Sequence, residues 1–229
     1  MKPKIIAIGV LSALMLAGCG AVKNTNSQQR GTAIGAAGGT ILGLIIGNNI
    51  GDGSNQTEGA VIGAVVGGVA GNLIGRRMDK QAQEISEELP GAQVERVGEG
   101  IVVTFDEGSG VKFATAQFSL NSGSQATLDK LLNIMNKYTG TEVLVAGHTD
   151  SVGSEASNLE LSRKRAKSVL DYLASHGIDK ERIAMTYSGE SDSKYTNETV
   201  EGRAKNRRVE IAIVAGEGMR QDAEMKAKQ

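Results

Sequence analysis

Cysteine occurs once in the 229 residues, at Cys19, and tryptophan not at all. A single thiol excludes a disulfide within the chain and removes the thiolate-rich metal sites that need several cysteines. Aromatic residues make up only 3% of the composition, too few for the stacking platforms that hold bases or sugars. An excess of charge of either sign is missing too. The formal net charge is -1, so no global field recruits nucleic acid or an anionic lipid surface. Proline is scarce, two residues against 31 glycines. That imbalance excludes collagen and a stiff proline-rich linker, and it exceeds what an ordinary globular chain carries. The length allows one good domain with extra segments, or two small domains.

What is present begins with an export signal. Lys2 and Lys4 form its charged start, and Ile5 to Leu16 an apolar centre too short to span a bilayer comfortably. It ends in Leu16-Ala17-Gly18-Cys19, which resembles a bacterial lipobox. A plain signal would leave a lone free thiol, which exported chains seldom keep. The lipobox reading gives a lipoprotein signal peptide at 1–18 and an acylated, palmitate-bearing Cys19 at the new terminus. Several acyl chains on one residue anchor stably where a single chain holds only marginally. Gly20 stands where an Asp would favour the inner membrane, so the resemblance implies the outer membrane. Residues 19–30 form a polar tether.

Then comes a ladder. Gly31, Gly35, Gly39, Gly43, Gly47 and Gly51 recur every four residues, and after a polar break Gly59, Gly63, Gly67, Gly71 and Gly75 repeat the step. A period of four lays the glycines along one helical face, with Ile41, Leu42, Leu44, Ile45 and Ile46 filling the rest. Each interior glycine costs about 0.8–1.0 kcal/mol relative to alanine, so such a helix is poor in water and sensible only where backbones pack closely. A flexible spacer would carry serine rather than isoleucine and valine. The expectation is a Gly-rich helical hairpin over 31–77, similar to the glycine zippers of some outer-membrane lipoproteins. Next, Met78, Ala82, Ile85 and Leu89 step at helical spacing between charged residues and stop at Pro90-Gly91, an amphipathic connector assigned to 78–98.

From 99 to 215 the pattern is that of a folded module, followed by a polar tail over 216–229. Strands are expected at Ile101–Phe105, Val111–Phe118, Glu142–Ala146, Arg182–Tyr187 and Arg208–Val214. A first helix carries Leu128, Leu131, Leu132 and Met135, capped by Ser122 or Ser124. A second carries Leu161, Ala166, Val169, Leu170 and Leu173 and closes at Gly177, and a short helix is expected at 199–205. The order predicts an α/β (α+β) sandwich with two main helices on one face of a four-stranded mixed sheet.

The informative stretch is 147–170, GHTDSVGSEASNLELSRKRAKSVL. Asp150 follows a strand end. At roughly 100° per residue, Arg165 projects within about 60° of the centre of the next helix's apolar face, while Lys164 and Lys167 point away. A guanidinium on a buried flank needs an anion, because an unpaired buried charge is costly. An anion and a cation so placed suit a small zwitterion, yet geometry alone leaves an internal Asp150–Arg165 salt bridge equally open. The spacing HTD-x-x-G followed by N-x-x-LS-x-x-RA-x-x-V, with NRRVEI at 206–211, resembles the OmpA-like peptidoglycan-binding domain over about half the chain. The resemblance implies that Asp150 and Arg165 grip the diaminopimelate residue of the wall peptide, with Thr149, Asn158 and Arg208 lining the pocket. It implies peptidoglycan and outer-membrane lipid as partners, no cofactor, and a domain in the periplasm. One departure is the absence of a proline after Gly189-Glu190, which bears on the 190–197 loop and not on the Asp/Arg pair.

Other chemistry is poorly supported. His148 and Asp150 make an H-x-D pair without a third metal ligand, since His176 lies at the far end of a helix. Ser151, His148 and Asp150 sit on one short loop and cannot face one another as a hydrolase requires, so an enzyme is not expected. Flagellar stators carry a similar domain but need an acidic residue within a membrane helix, and the apolar arms contain none. The serious competitor is self-association through the ladder, with the wall-binding module serving only as an anchor.

Overall fold

The computed structural model describes residues 68–97, 100–114 and 116–228. The signal peptide, Cys19, the polar tether and the ladder up to residue 67 lie outside the described residues. Helix α1 (Gly68–Glu88) leads into strands β1 (Gln93–Val97) and β2 (Gly100–Phe105). Helix α2 (Ser122–Lys137), strand β3 (Thr141–His148) and helix α3 (Glu155–Ser175) follow. A 3₁₀ turn at Lys180–Arg182, strand β4 (Ile183–Gly189), helix α4 (Val200–Asn206), strand β5 (Val209–Ala215) and helix α5 (Glu217–Ala227) complete the order. The sheet runs β1-β2-β5-β3-β4, parallel only between β3 and β4. No helix among the described residues is long and apolar enough to cross a membrane.

Strand parity builds the core. Val103, Val143, Val145, Val209, Ile211 and Ile213 point to one face, where Leu128, Leu131, Met135, Ala166, Val169 and Leu173 of α2 and α3 meet them. The opposite face carries the smaller cluster Val102, Leu144, Ala184, Ala212 and Val214.

Four sequence expectations differ from this structure. The sheet has five strands rather than four. The added strand, β1, is an edge piece whose QVERV sequence is short, charged and only half covered, so it carried little strand signal; it pairs antiparallel with β2 from Gln93↔Thr104 to Val97↔Gly100. Residues 111–118 form no strand, because side chains of the helices take up their backbone groups. Ser124 Oγ accepts from Lys112 N at 2.8 Å and donates to Lys112 O, and Arg165 Nε donates to Gln117 O. The cap of α2 is Asn121, whose Oδ1 accepts from Ser124 N at 2.8 Å; neither serine caps it.

Fourth, the segments read as connector and tail pack on the core. Helix α1 runs across the 77/78 boundary and buries Ala70, Ile74, Met78, Ala82 and Ile85 at helical spacing against the same face as α2 and α3. Helix α5, read as a polar tail, buries Met219 and Ala223, one turn apart, in the same core. Two apolar residues in eleven gave too weak a stripe to announce a docked helix.

Candidate ligand site at the end of strand β3

Two glycines bring α3 down onto the ends of β3 and β4. A Cβ at Gly147 would stand 2.2 Å from Ser162 O, so only glycine admits this strand-to-helix approach. Gly189 has φ +59°, and a Cβ there would meet Leu159 N at 2.9 Å. Its N–H donates to Ser162 Oγ at 2.9 Å and its carbonyl accepts from Thr149 N at 2.8 Å. The loop after β3 is thereby fixed beside the first turns of α3. Ser154 caps that helix, its hydroxyl accepting from Ser157 N.

Asp150, 8% exposed, lies in this loop. Its Oδ1 accepts from Val152 N at 3.1 Å, and its Oδ2 lies 2.6 Å from an Nη of Arg207. The other Nη of Arg207 pairs with Glu107, on the turn after β2. Partial burial opposes it, but the bonds to Asp150 and Glu107 raise the Arg207 guanidinium above its usual range.

Arg165 is 3% exposed. Its Nε donates to Gln117 O at 3.1 Å, and its guanidinium stands 5.1 Å from the centre of the Phe113 ring. Among the described residues it forms no ion pair. Burial pulls its pKa down and the nearby Asp150 charge partly restores it, so the two are electrostatic neighbours without touching as a pair. With Arg207, Glu107, Lys112 and Phe113 it lines a small cavity. A nearly closed guanidinium that meets no carboxylate among the described residues can accept an anionic group.

The remaining candidates divide. Thr149 is buried beside Asp150 and its hydroxyl has no partner among the described residues. Asn158 is buried on α3, and its Nδ2 donates to the Glu190 carboxylate, tying the 190–197 loop to the helix. It also lines an adjoining cleft of about 380 Å³ that includes Phe118, Leu161 and Lys164. Arg208 is not brought to Asp150. Its Nε lies 2.6 Å from Glu210 Oε1 and an Nη lies 3.2 Å from Asp192 Oδ2, within a buried group that also holds His148 and that Lys194 reaches from the surface.

Arg207 takes the position by Asp150 that the sequence reading gave to Arg208. Parity could have shown it: Arg208 shares the outward phase of Glu210, Ala212 and Val214, whereas α3 lies on the phase of Val209 and Ile211. Asn206, fully buried, bonds Tyr195 N, Tyr195 O and Asn197 Oδ1, and so fixes the end of α4 from which Arg207 extends. Asn197 Oδ1 in turn accepts from Ser151 N at 3.3 Å. Glu107 had no sequence signal at all.

The His148 group differs in kind. Burial and the neighbouring Arg208 hold the imidazole down to about 3, so it is neutral at ordinary pH. Its Nδ1 lies 3.2 Å from Asp192 Oδ2 in a geometry that makes no hydrogen bond. Burial pushes Asp192 up to about 6 against the pull of Arg208. Burial works against Glu210 also, yet the positive groups around it (His148 when protonated, Arg208 and Lys194) hold it down to about 2. Among the described residues no group of histidine, cysteine and carboxylates could hold a metal ion.

Residues 112–207 match the OmpA family, and residues 1–79 match the YMGG-like Gly-zipper family. Among curated proteins, the chain is 34% identical over 138 residues to the probable lipoprotein YiaD of Escherichia coli (strain K12), covering 59% of this chain and 62% of that one. It is 37% identical over 106 residues to the peptidoglycan-binding protein ArfA of Mycobacterium bovis, covering 46% and 32%. The chain therefore spans less than two-thirds of the length of these curated relatives. Among solved structures, the cell wall anchor of the T6SS from Pseudomonas aeruginosa superposes with a TM-score of 0.51 at 31% identity, over 61% of this chain and 97% of that one.

Proposed function

Residues 112–207 being an OmpA-family domain behind a YMGG-like Gly-zipper segment, we propose that the protein is an outer-membrane lipoprotein that grips peptidoglycan without a covalent bond. It thereby ties the outer membrane to the cell wall. The observation that carries this reading is Arg165, a guanidinium 3% exposed, without an ion partner among the described residues, and within reach of the Asp150 field. A zwitterionic diaminopimelate end answers both charges. Asp150 takes the ammonium, Arg165 takes the carboxylate through two parallel N–H bonds, and the unpartnered Thr149 hydroxyl supplies a further bond. Asn158 holds the loop beside them. None of these residues is arranged to do covalent chemistry. The names of ArfA and of the T6SS wall anchor support a wall ligand, and that of YiaD supports an acylated Cys19.

The test is co-sedimentation of the full chain with purified sacculi. The wild type pellets with the wall and an Asp150→Ala, Arg165→Ala double variant stays in the supernatant; equal pelleting of the two removes the reading. Mass spectrometry of the protein from membranes tests the anchor, with an unmodified Cys19 or an intact Met1 as the contrary result. The Gly-zipper match favours a second reading, in which the ladder assembles copies of the chain and the module only anchors them. Replacing Gly39, Gly43, Gly63 and Gly67 with leucine abolishes association in that reading while sacculus binding persists.

A further inference from the structure

We propose that Arg207 is a resident stand-in for the ligand's ammonium: it caps Asp150 in the free site and turns wholly to Glu107 when the ligand enters. This rests on Asp150 and Arg165 being the wall-binding pair. Asp150 is nearly closed off, and both of its oxygens are already used, Oδ1 by Val152 N–H and Oδ2 by Arg207 at 2.6 Å. An arriving ammonium therefore competes with a cation that is already in place. Leaving both cations on one enclosed carboxylate, with Arg165 alongside, would crowd three positive groups around it.

The chain supplies the alternative. Arg207 already reaches Glu107 with its second Nη, and Glu107 sits on an exposed turn where a paired charge costs little to hold. Arg207 extends from the C-terminal cap of α4, outside the strand ladder, with its side chain 29% exposed. It can swing without moving backbone. Its neighbour Arg208 cannot, because its side chain is enclosed between Asp192 and Glu210.

Competition of this kind sets a threshold that every incoming cation must meet. A lone ammonium gains only what Arg207 gives up at Asp150, so a lysine side chain or a polyamine exchanges one cation for another. A zwitterion also satisfies Arg165, and that second contact drives the exchange. Glu107 takes part by accepting Arg207, not by touching the ligand.

Calorimetric titration of the full-length protein with diaminopimelate-type and lysine-type muropeptides tests this, with the melting temperature of each variant recorded beside it. Arg207→Gln should bind the diaminopimelate form about tenfold more tightly, the scale of one charge-assisted hydrogen bond no longer competing. It should tighten the lysine form by about the same factor, because either ammonium displaces Arg207, and discrimination, which rests on Arg165, should stay unchanged. Glu107→Gln, on the exposed turn, should fold normally and bind more weakly, because displaced Arg207 has nowhere to rest. The double variant should match Arg207→Gln, since Glu107 acts only through Arg207. Weaker or unchanged binding by Arg207→Gln overturns the stand-in, as does a Glu107→Gln loss that persists without Arg207. If Arg207→Gln does not fold, the sign of the Glu107→Gln change decides. Asp150→Asn and Arg165→Gln separate the two levels. If both bind like wild type, the wall-binding reading itself fails; if both weaken while Arg207→Gln does not tighten, only the stand-in fails.

Discussion

Two charged groups sit back to back at the end of strand β3, only a few ångströms of chain apart, and they are built on opposite principles. On the outer side His148, Asp192, Lys194, Arg208 and Glu210 form a closed set in which each guanidinium and ammonium has a carboxylate of its own. On the side facing α3, Asp150, Arg165, Arg207 and Glu107 form an open set: Arg207 has two carboxylates and, among the described residues, Arg165 has none. His148 and Asp150 are two residues apart and Arg207 and Arg208 are adjacent, so composition does not distinguish the sets. Completion of pairing does. Each set holds two carboxylates and two permanent cations, but the inner one spends both carboxylates on Arg207, whereas the outer one gives one to each cation. Both His148 ring nitrogens and an Nη of Arg208 nevertheless stay without hydrogen-bond partners among the described residues.

The largest effect should come from breaking the closed set. Arg208→Ala leaves Asp192 and Glu210 without their guanidinium in an enclosed site, a loss of about 3–5 kcal/mol by analogy with broken buried pairs. Denaturant unfolding measures it. Binding by the fraction that remains folded should be unchanged, and a selective loss of binding at full stability would mean that Arg208 belongs to the ligand site after all.

Breaking the open set should reverse that pattern. Arg165→Ala or Asp150→Ala should weaken diaminopimelate binding by roughly ten- to a hundredfold, since charge-assisted bonds contribute about 1.5–3 kcal/mol each. The melting temperature should fall less than for Arg208→Ala, because Arg165 has no ion partner among the described residues and Arg207, on losing Asp150, keeps Glu107.

Gly147→Ala sharpens the comparison by moving both sets at once. The new methyl would collide with Ser162 O and push α3 from β3, costing about 1–3 kcal/mol as an overpacked contact. It should lower stability and binding together, which unfolding and sacculus pelleting on the same sample would show.

The smallest effect concerns pH and the closed set alone. His148 is held down to about 3, so the unfolded chain takes up its proton first and stability is lost as pH falls from about 6.5 toward 3. Asp192 is raised to about 6, so the folded protein takes up that proton first and gains stability as pH falls from about 6 to 4. The two nearly cancel. Stability should stay level between about pH 6 and 4 and then drop, the depressed Glu210 adding to the fall below about 4.5. Asp192→Asn removes the compensating uptake, so its stability should begin to fall directly below about pH 6.5, a difference visible in melting temperatures across that range.

How much of this could be read from residues alone depends on whether a periodic signal existed. The β3–loop–α3 unit was legible because Val143 to Ala146 form an unbroken apolar run, buried on both faces, and Ala166, Val169 and Leu173 repeat at helical spacing. The same wheel placed Arg165 on a buried flank, where the structure has it. Strand β1 and helix α5 were missed because an exposed edge strand and a helix with two buried residues have almost no pattern to detect. The Asn121 cap was missed for a different reason. Three candidate capping residues stand together at 121–124, and only the demand of Lys112 for the Ser124 hydroxyl decides among them. Arg207 was overlooked because a resemblance chose the second arginine of NRRVEI, although strand parity turns that one away from α3. Glu107 comes from a turn a hundred residues distant, and only the fold brings it to Arg207.

The most direct measurement is a titration of wild type, Asp150→Ala and Arg165→Ala with two muropeptides that differ only in diaminopimelate against lysine. The lysine form keeps the ammonium and loses the carboxylate that Arg165 lacks. Wild type should prefer the diaminopimelate form by roughly ten- to a hundredfold, the contribution of one such charged contact, and Arg165→Ala should barely discriminate. Equal affinity of wild type for the two forms would contradict it, leaving Arg165 a buried cation held by Gln117 and Phe113 alone.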